Sequence, residues 1–396
     1  MSRLSPGQHR LLVLAACSQG AISIALWGLG ALGPALREEF DLSAAALGTV
    51  FAAGFIGNAV ILVPAGTIVD RIGPRAPLIV GGAISGGVLV AAGLAPSAPL
   101  VALALFAYGL AAAFVSVAGT VSVFHGFDVE RRGMALGVRQ MSVSAGGLLA
   151  AALLPGLAAV GGVRLAFIVS GILAATFSLM FGVASPSGPL HAAARGRSMD
   201  LAGLLTTPGI PRVVAICAVH VTVLAAALNF SVPAIVDDGA SAVIGAALFA
   251  VISASAIVAR LVWGRVADFG GGTRRRRTLR DVGLVTLVGA LLYWAAGPIG
   301  PEAQLPAMAV FAFGAMGANG LLYLIAGELT GPARAGQAVG LVSTVLFGWS
   351  ALMSPLLGAL ADAAGFAVLW PVCAGIACLS IALTFGLPGP RPVRLR

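Results

Sequence analysis

The sequence predicts an all-α membrane protein: twelve transmembrane helices in two pseudo-symmetric six-helix bundles. Three observations predict it. The 396 residues are 59% hydrophobic and only 9% charged, against roughly a quarter charged in an ordinary soluble chain. The apolar residues fall into twelve runs, most of them near the about 20 residues that a helix needs to span a bilayer. A charged, glycine-containing segment occurs twice, 198 residues apart, which is half the length of the chain.

Composition excludes a water-facing globule. So few charges cannot cover one, whereas helices in lipid satisfy their own backbone groups. The net charge of +9 would suit a nucleic-acid partner unless the positive residues all face one side of a membrane. All 23 basic residues are Arg, with no Lys. Cys17, Cys217, Cys373 and Cys378 lie inside apolar runs without metal-ligand spacing, and they read as small hydrophobes with no disulfide framework.

The spans predicted by cutting at charge and at Pro/Gly clusters are 11–33, 44–66, 76–95, 99–123, 134–158, 163–184, 212–236, 242–264, 281–299, 304–327, 336–359 and 366–387. The first run is too long for the apolar region of a signal peptide and reads as the first membrane helix. Gly and Ala within the runs suit close helix packing in lipid. With this spacing, nineteen Arg fall on the side that holds both termini; only Arg37 and Arg164 fall on the other, together with Glu38, Glu39, Asp41, Asp237, Asp238, Glu302 and Asp362. That asymmetry predicts cytoplasmic termini and removes the nucleic-acid reading. The polar stretch "SPSGPLHAAARGRSMD", 185–200, reads as a cytoplasmic connection. The expected units are an N-terminal bundle over 1–184, a linker over 185–211 and a C-terminal bundle over 212–396.

The repeated segment is "GTIVDRIG" from Gly66 and "GRVADFGG" from Gly264. Each ends the second span of its half and reads Gly-x-x-x-Asp. A second echo pairs "RRGMALG" (131–137) with "RAGQAVG" (334–340), at the start of each half's fifth span. Repeats of this kind mark transporters built from two related halves. "GTIVDRIGPR" resembles motif A of the major facilitator superfamily, Gly-x-x-x-Asp-Arg-x-Gly-Arg-Arg, with Pro74 at the first closing basic position. The resemblance implies that Gly66, Asp70, Arg71, Gly73 and Arg75, with Gly264 and Asp268 in the repeat, latch the two halves on the cytoplasmic side in the outward-open state. In physical terms, Gly66 would let two helices approach closely. Asp70 would accept from helix N-terminal amides or pair with Arg. Gly73 and Pro74 would turn the chain.

An ionisable residue inside a span is a candidate functional group. Two qualify. Arg139 lies about six residues into the fifth predicted span, and Arg260 about four before the end of the eighth. "AIVARLVWGRVAD" around Arg260 resembles the eighth helix of the monocarboxylate transporters, where an Arg serves the substrate carboxylate, and the oxalate:formate antiporter also carries an Arg on this helix. A guanidinium fork suits a carboxylate. The alternatives are snorkelling or pairing with Asp70 or Asp268 for Arg260, and a structural ion pair for Arg139. Gln140, Asn319, Tyr323, Trp27, Tyr108 and Asn229 are further candidate cavity residues, and His220 is either a proton site or a bonded core histidine. The resemblance is incomplete: Leu105 stands where the family's fourth helix often carries an Arg, and no Gly-Pro follows in the fifth.

These residues predict a secondary transporter for a small organic anion, such as a carboxylate, working by alternating access. Its partners would be the anion, the bilayer, and protons or a counter-substrate, with the protein monomeric in the inner membrane. Efflux of neutral or amphipathic drugs is the alternative within transport, and a transport-inactive sensor the alternative outside it. No metal cluster, nucleophile motif or phosphate loop is present, so neither an enzyme nor a cofactor is expected.

Overall fold

The computed structural model describes residues 4–188, 201–268, 271–331 and 334–388. Among these the chain is all-helical, without strands. Helix α1 (Pro6–Trp27) opens on a capping box in which the Ser5 hydroxyl accepts from Gln8 N, satisfying amides that the first turn leaves free. Helix α2 (Leu29–Phe40) continues it after an interruption at Gly28. Then follow α3 (Ala44–Ile72), α4 (Arg75–Gly93) and α5 (Ala98–Gly126). Next are α6 (Val129–Ala184) and the short α7 (Leu201–Leu205).

The second half holds α8 (Ile210–Asp237), α9 (Ala242–Asp268) and α10 (Gly271–Ala296). It continues with α11 (Pro301–Ala315), α12 (Ala318–Thr330), α13 (Ala335–Ala364) and α14 (Leu369–Thr384).

Eleven described helical stretches are long and apolar enough to cross a membrane, one of them the 51-residue Met134–Ala184. At 1.5 Å per residue that stretch would run about 75 Å, more than twice a bilayer core. It is two spans. The backbone leaves helical geometry at Gly161 and Gly162, the latter at φ 66°, a conformation that glycine adopts without strain. The amide of Val163 then donates to Glu39 Oε2 at 3.2 Å, which caps the sixth span from the first. Twelve crossings result, and both chain ends fall at one end of the bundle. We call this the terminal end and its opposite the distal end.

Two large apolar clusters form the interior. One is made mostly of side chains from Leu11 to Phe181, with Ala351 joining it, and the other mostly of side chains from Leu204 to Leu387, with Ala44 joining it. Within the predicted linker, residues 189–200 lie outside the described residues.

Several predicted ends shift. The second span runs on past Gly66 to Ile72, so Asp70 and Arg71 sit on the last helical turn, which Gly73 (φ 83°) then ends. The fifth span begins at Val129 and the eighth ends at Asp268, which places both candidate arginines deeper than the sequence predicts. A single Gly costs a helix only about 1 kcal/mol and Arg is a good helix former, so the helices run on past the apolar stretches.

Candidate functional site

A cavity of about 350 Å³ lies between the two halves. Its N-terminal wall includes Gln19, Ser23, Trp27, Asn58, Ser116, Thr120, Arg139, Gln140 and Ser144. The C-terminal wall includes Ser253, Arg260, Asn319, Tyr323, Ser343 and Phe347. Six of the predicted site residues, Arg139, Arg260, Gln140, Asn319, Tyr323 and Trp27, are therefore brought to one space.

Arg139 is ten residues into α6, about 15 Å along the axis, and only 6% exposed. Its Nη1 donates to Thr120 Oγ1 and its Nη2 to Ser116 O, both at 2.8 Å. Its Nε is buried with no partner. Arg260 is eight residues before the end of α9, and its Nη1 donates to Gln140 O of the other half at 2.9 Å. Its guanidinium turns to the other half, and it meets no acid among the described residues. No carboxylate lines the cavity among the described residues, and neither guanidinium has an acidic partner there.

The remaining wall divides by polarity. Beside Arg139, Ser116 Oγ donates to Gln19 Oε1 at 3.4 Å, and Gln19 Nε2 to Ser23 Oγ at 3.4 Å. Across the space, Ser343 Oγ donates to Tyr323 Oη at 3.4 Å. Deeper in, Trp27 stands 5.1 Å from Phe55 and 6.0 Å from Phe347, ring centre to ring centre. The cavity thus offers positive charge and hydroxyls at one level and an aromatic floor at another. Asn58 Oδ1 and Asn319 Oδ1 are buried acceptors without partners.

Two candidates move out of the site. Tyr108 is wholly buried and donates its hydroxyl to Ile22 O at 2.5 Å, which ties α5 to α1. Asn229 donates to Ser354 Oγ at 2.9 Å, joining α8 to α13. Neither lines the cavity. His220 is also in the core, with Nε2 2.5 Å from Ala315 O, at the interruption between α11 and α12. Conversely, Gln19, Asn58, Thr120 and Phe347 line the cavity without having been singled out in the sequence. Their signal was available in part, because Thr120 lies one turn below Ser116 on the face that receives Arg139.

The two ends of the bundle differ. At the distal end the halves are in close contact. A Cβ on Gly48 would fall 2.3 Å from Ser354 O, and one on Gly30 would fall 1.8 Å from Leu228 O. Arg37 pairs with Asp237 at 3.4 Å across the halves. At the terminal end, Asp70, Arg71 and Arg75 are exposed. The expected close approach at Gly66 is absent: a Cβ there, or on Gly264, would meet nothing within 4 Å. In this conformation neither glycine is therefore held against a described neighbour, and the space a side chain would need is open. The Asp268 side chain lies outside what is described. Gly73 does pack, its Cβ position 2.1 Å from Gly188 O.

The family model described as Major Facilitator Superfamily matches residues 15–355. The chain belongs to that superfamily. An uncharacterised MFS-type transporter of Mycobacterium tuberculosis (strain ATCC 25618 / H37Rv) is 26% identical over 335 residues, 83% of this chain and 72% of the relative. A probable sulfoacetate transporter of Cupriavidus necator is 29% identical over 148 residues, 37% of this chain and 34% of the relative. Among solved structures, a bacterial homologue of the human lysosomal transporter Spinster, inward-facing and unoccupied, superposes at TM-score 0.77. It shares 15% identity and covers 97% of both chains. A point mutant of the nucleoside transporter NupG gives 0.78 at 15% identity, over 96% of this chain and 100% of that one. At such identities the likeness is one of fold. The protein is thus a multi-pass membrane transporter of the major facilitator superfamily.

Proposed function

We propose that this transporter carries a small organic anion, a carboxylate or sulfonate, through the central cavity by alternating access. One observation carries the reading: two guanidinium groups, one from each half, line one space with no described carboxylate to neutralise them. Like charges held in a low-dielectric space cost free energy that a bound anion offsets. Charged hydrogen bonds from both halves to one ligand also give that ligand a means of drawing the halves together. A volume of about 350 Å³ suits a small molecule, and the partial match to a probable sulfoacetate transporter supports an acidic substrate.

The arginine asymmetry supports cytoplasmic termini in an inner membrane. On that orientation the conformation described is inward-open, with the distal end closed toward the outside and motif A released. The functional test is ligand-induced thermal stabilisation of the purified protein by a panel of short mono- and dicarboxylates and sulfonates, run beside their neutral amides. The reading requires stabilisation by at least one acid and none by its amide. Equal stabilisation by an acid and its amide, or by no acid at all, would sink it.

A further inference from the structure

We infer that Asp362 is a gating residue for transport: its carboxylate, on the last turn of α13, latches the distal end shut by capping the N-terminus of α3 in the other half. The first turn of a helix leaves its amides without intrahelical partners. In α3, Ser43 serves one of them, accepting from Ala46 N at 3.2 Å. Two more are served across the halves: Ala44 N donates to Asp362 Oδ1 at 2.7 Å, and Ala45 N to Asp362 Oδ2 at 2.8 Å. The contact is bidentate, charge-assisted and aligned with the positive end of the helix dipole. Backbone approach makes it possible. One turn before Asp362, a Cβ on Gly358 would fall 2.2 Å from Ala44 O, and Gly365 at φ 78° stops the helix just beyond.

The same two helices carry the reverse arrangement at their other ends. Asp70 lies on the last turn of α3, exposed. The N-terminus of α13, capped at Arg334, has no side-chain cap bond. Each helix therefore ends in an aspartate, and the partner's N-terminal amides stand at the matching end. At the distal end the pair is engaged. At the terminal end it is not engaged: Asp70 is exposed and no side chain caps α13. Rocking the halves would release Asp362 from α3 as it brings Asp70 toward α13, so that one cap replaces the other and neither end state is over-stabilised. This inference rests on the alternating-access reading above, and it assigns the distal latch to one residue.

The test is a distance measurement by double electron–electron resonance in the full chain. Spin labels go at the exposed positions Glu38 and Glu302, in a background with the native cysteines replaced. Loss of a helix cap shifts an equilibrium by roughly 2- to 30-fold. Asp362→Ala should raise the ratio of distal-open to distal-closed populations by that factor. Asp362→Asn, which keeps the shape and one acceptor, should give a smaller rise and guards against misfolding of the alanine variant. Asp70→Asn should shift the ratio the opposite way. Asp237→Asn, which breaks only the exposed pair to Arg37, should move it less than about fivefold. An unchanged distance distribution in folded Asp362→Ala or Asp362→Asn would overturn the assignment, as would a shift no larger than that of Asp237→Asn. The readout needs no substrate, so it fails independently of the anion reading, which the thermal-shift panel tests.

Discussion

Replacing Arg139 by Gln separates an anion-binding arginine from a structural one. The structure sets the expected cost to the empty protein. Two hydrogen bonds are lost, to Thr120 Oγ1 and Ser116 O. The Ser116 carbonyl keeps a partner, because the Thr120 hydroxyl already donates to it at 2.9 Å. No carboxylate is stranded, and the buried, partnerless Nε disappears. Each of these charge-assisted bonds contributes about 1.5–3 kcal/mol, while the unmade buried donor costs about 1–3 kcal/mol and the buried charge without an acidic partner several more. These nearly cancel, so apo stability should change by less than about 1 kcal/mol. Binding should suffer far more. A charged hydrogen bond contributes about 1.5–3 kcal/mol, so the Kd for an acidic ligand should rise roughly 10- to 150-fold. The assay is a thermal-shift titration of wild type and variant against the best acid of the panel, which reads both quantities from the same preparations. An arginine that neutralised a buried acid would behave in the opposite way. Its loss would cost about 3–5 kcal/mol of stability and leave the affinity of the surviving protein intact. That pattern, or an unchanged Kd, would refute the reasoning.

Two further perturbations follow from the packing. Gly48→Ala places a Cβ 2.3 Å from Ser354 O and 2.7 Å from Ser354 C, so it should hold the distal end open and speed labelling of a cysteine placed in the distal seam. Gly66→Ala, with nothing within 4 Å, should leave the described state undisturbed and impede only closure at the terminal end; equal effects of the two at the distal seam would contradict the assignment of open and closed ends. Tyr108→Phe removes a buried donor to Ile22 O and should lower stability by about 0.5–1.5 kcal/mol, with no change in ligand Kd; a tenfold change in Kd would return Tyr108 to the site.

The fold was legible because long apolar runs have one meaning in a chain this poor in charge. The interruptions were less so. Gly28, the Gly161–Gly162 break and the gap between α11 and α12 depend on what packs beside them, such as Trp263, which a Cβ on Gly317 would meet at 2.3 Å. In the site, Arg139 and Arg260 were legible because a charge inside a span is costly wherever it points. Polar and aromatic residues carry no such signal. Tyr108 and Asn229 have the same composition cues as Tyr323 and Asn319, and only the neighbouring helices decide which pair faces the cavity and which is bonded in the core. Asp362 read as one more acidic residue of a connecting loop, because its role lies in the amides of a helix more than 300 positions away in the chain.

The central claim is that the paired arginines make this an anion transporter. Uptake of radiolabelled short carboxylates and sulfonates into proteoliposomes tests it most directly, comparing wild type with the double variant Arg139→Gln, Arg260→Gln. The account predicts saturable uptake of at least one acid by wild type, competition by unlabelled acid but not by its neutral amide, and loss of that uptake in the folded double variant. Uptake of an acid that persists undiminished in the double variant, or transport of neutral or cationic compounds with no acid carried at all, would contradict it.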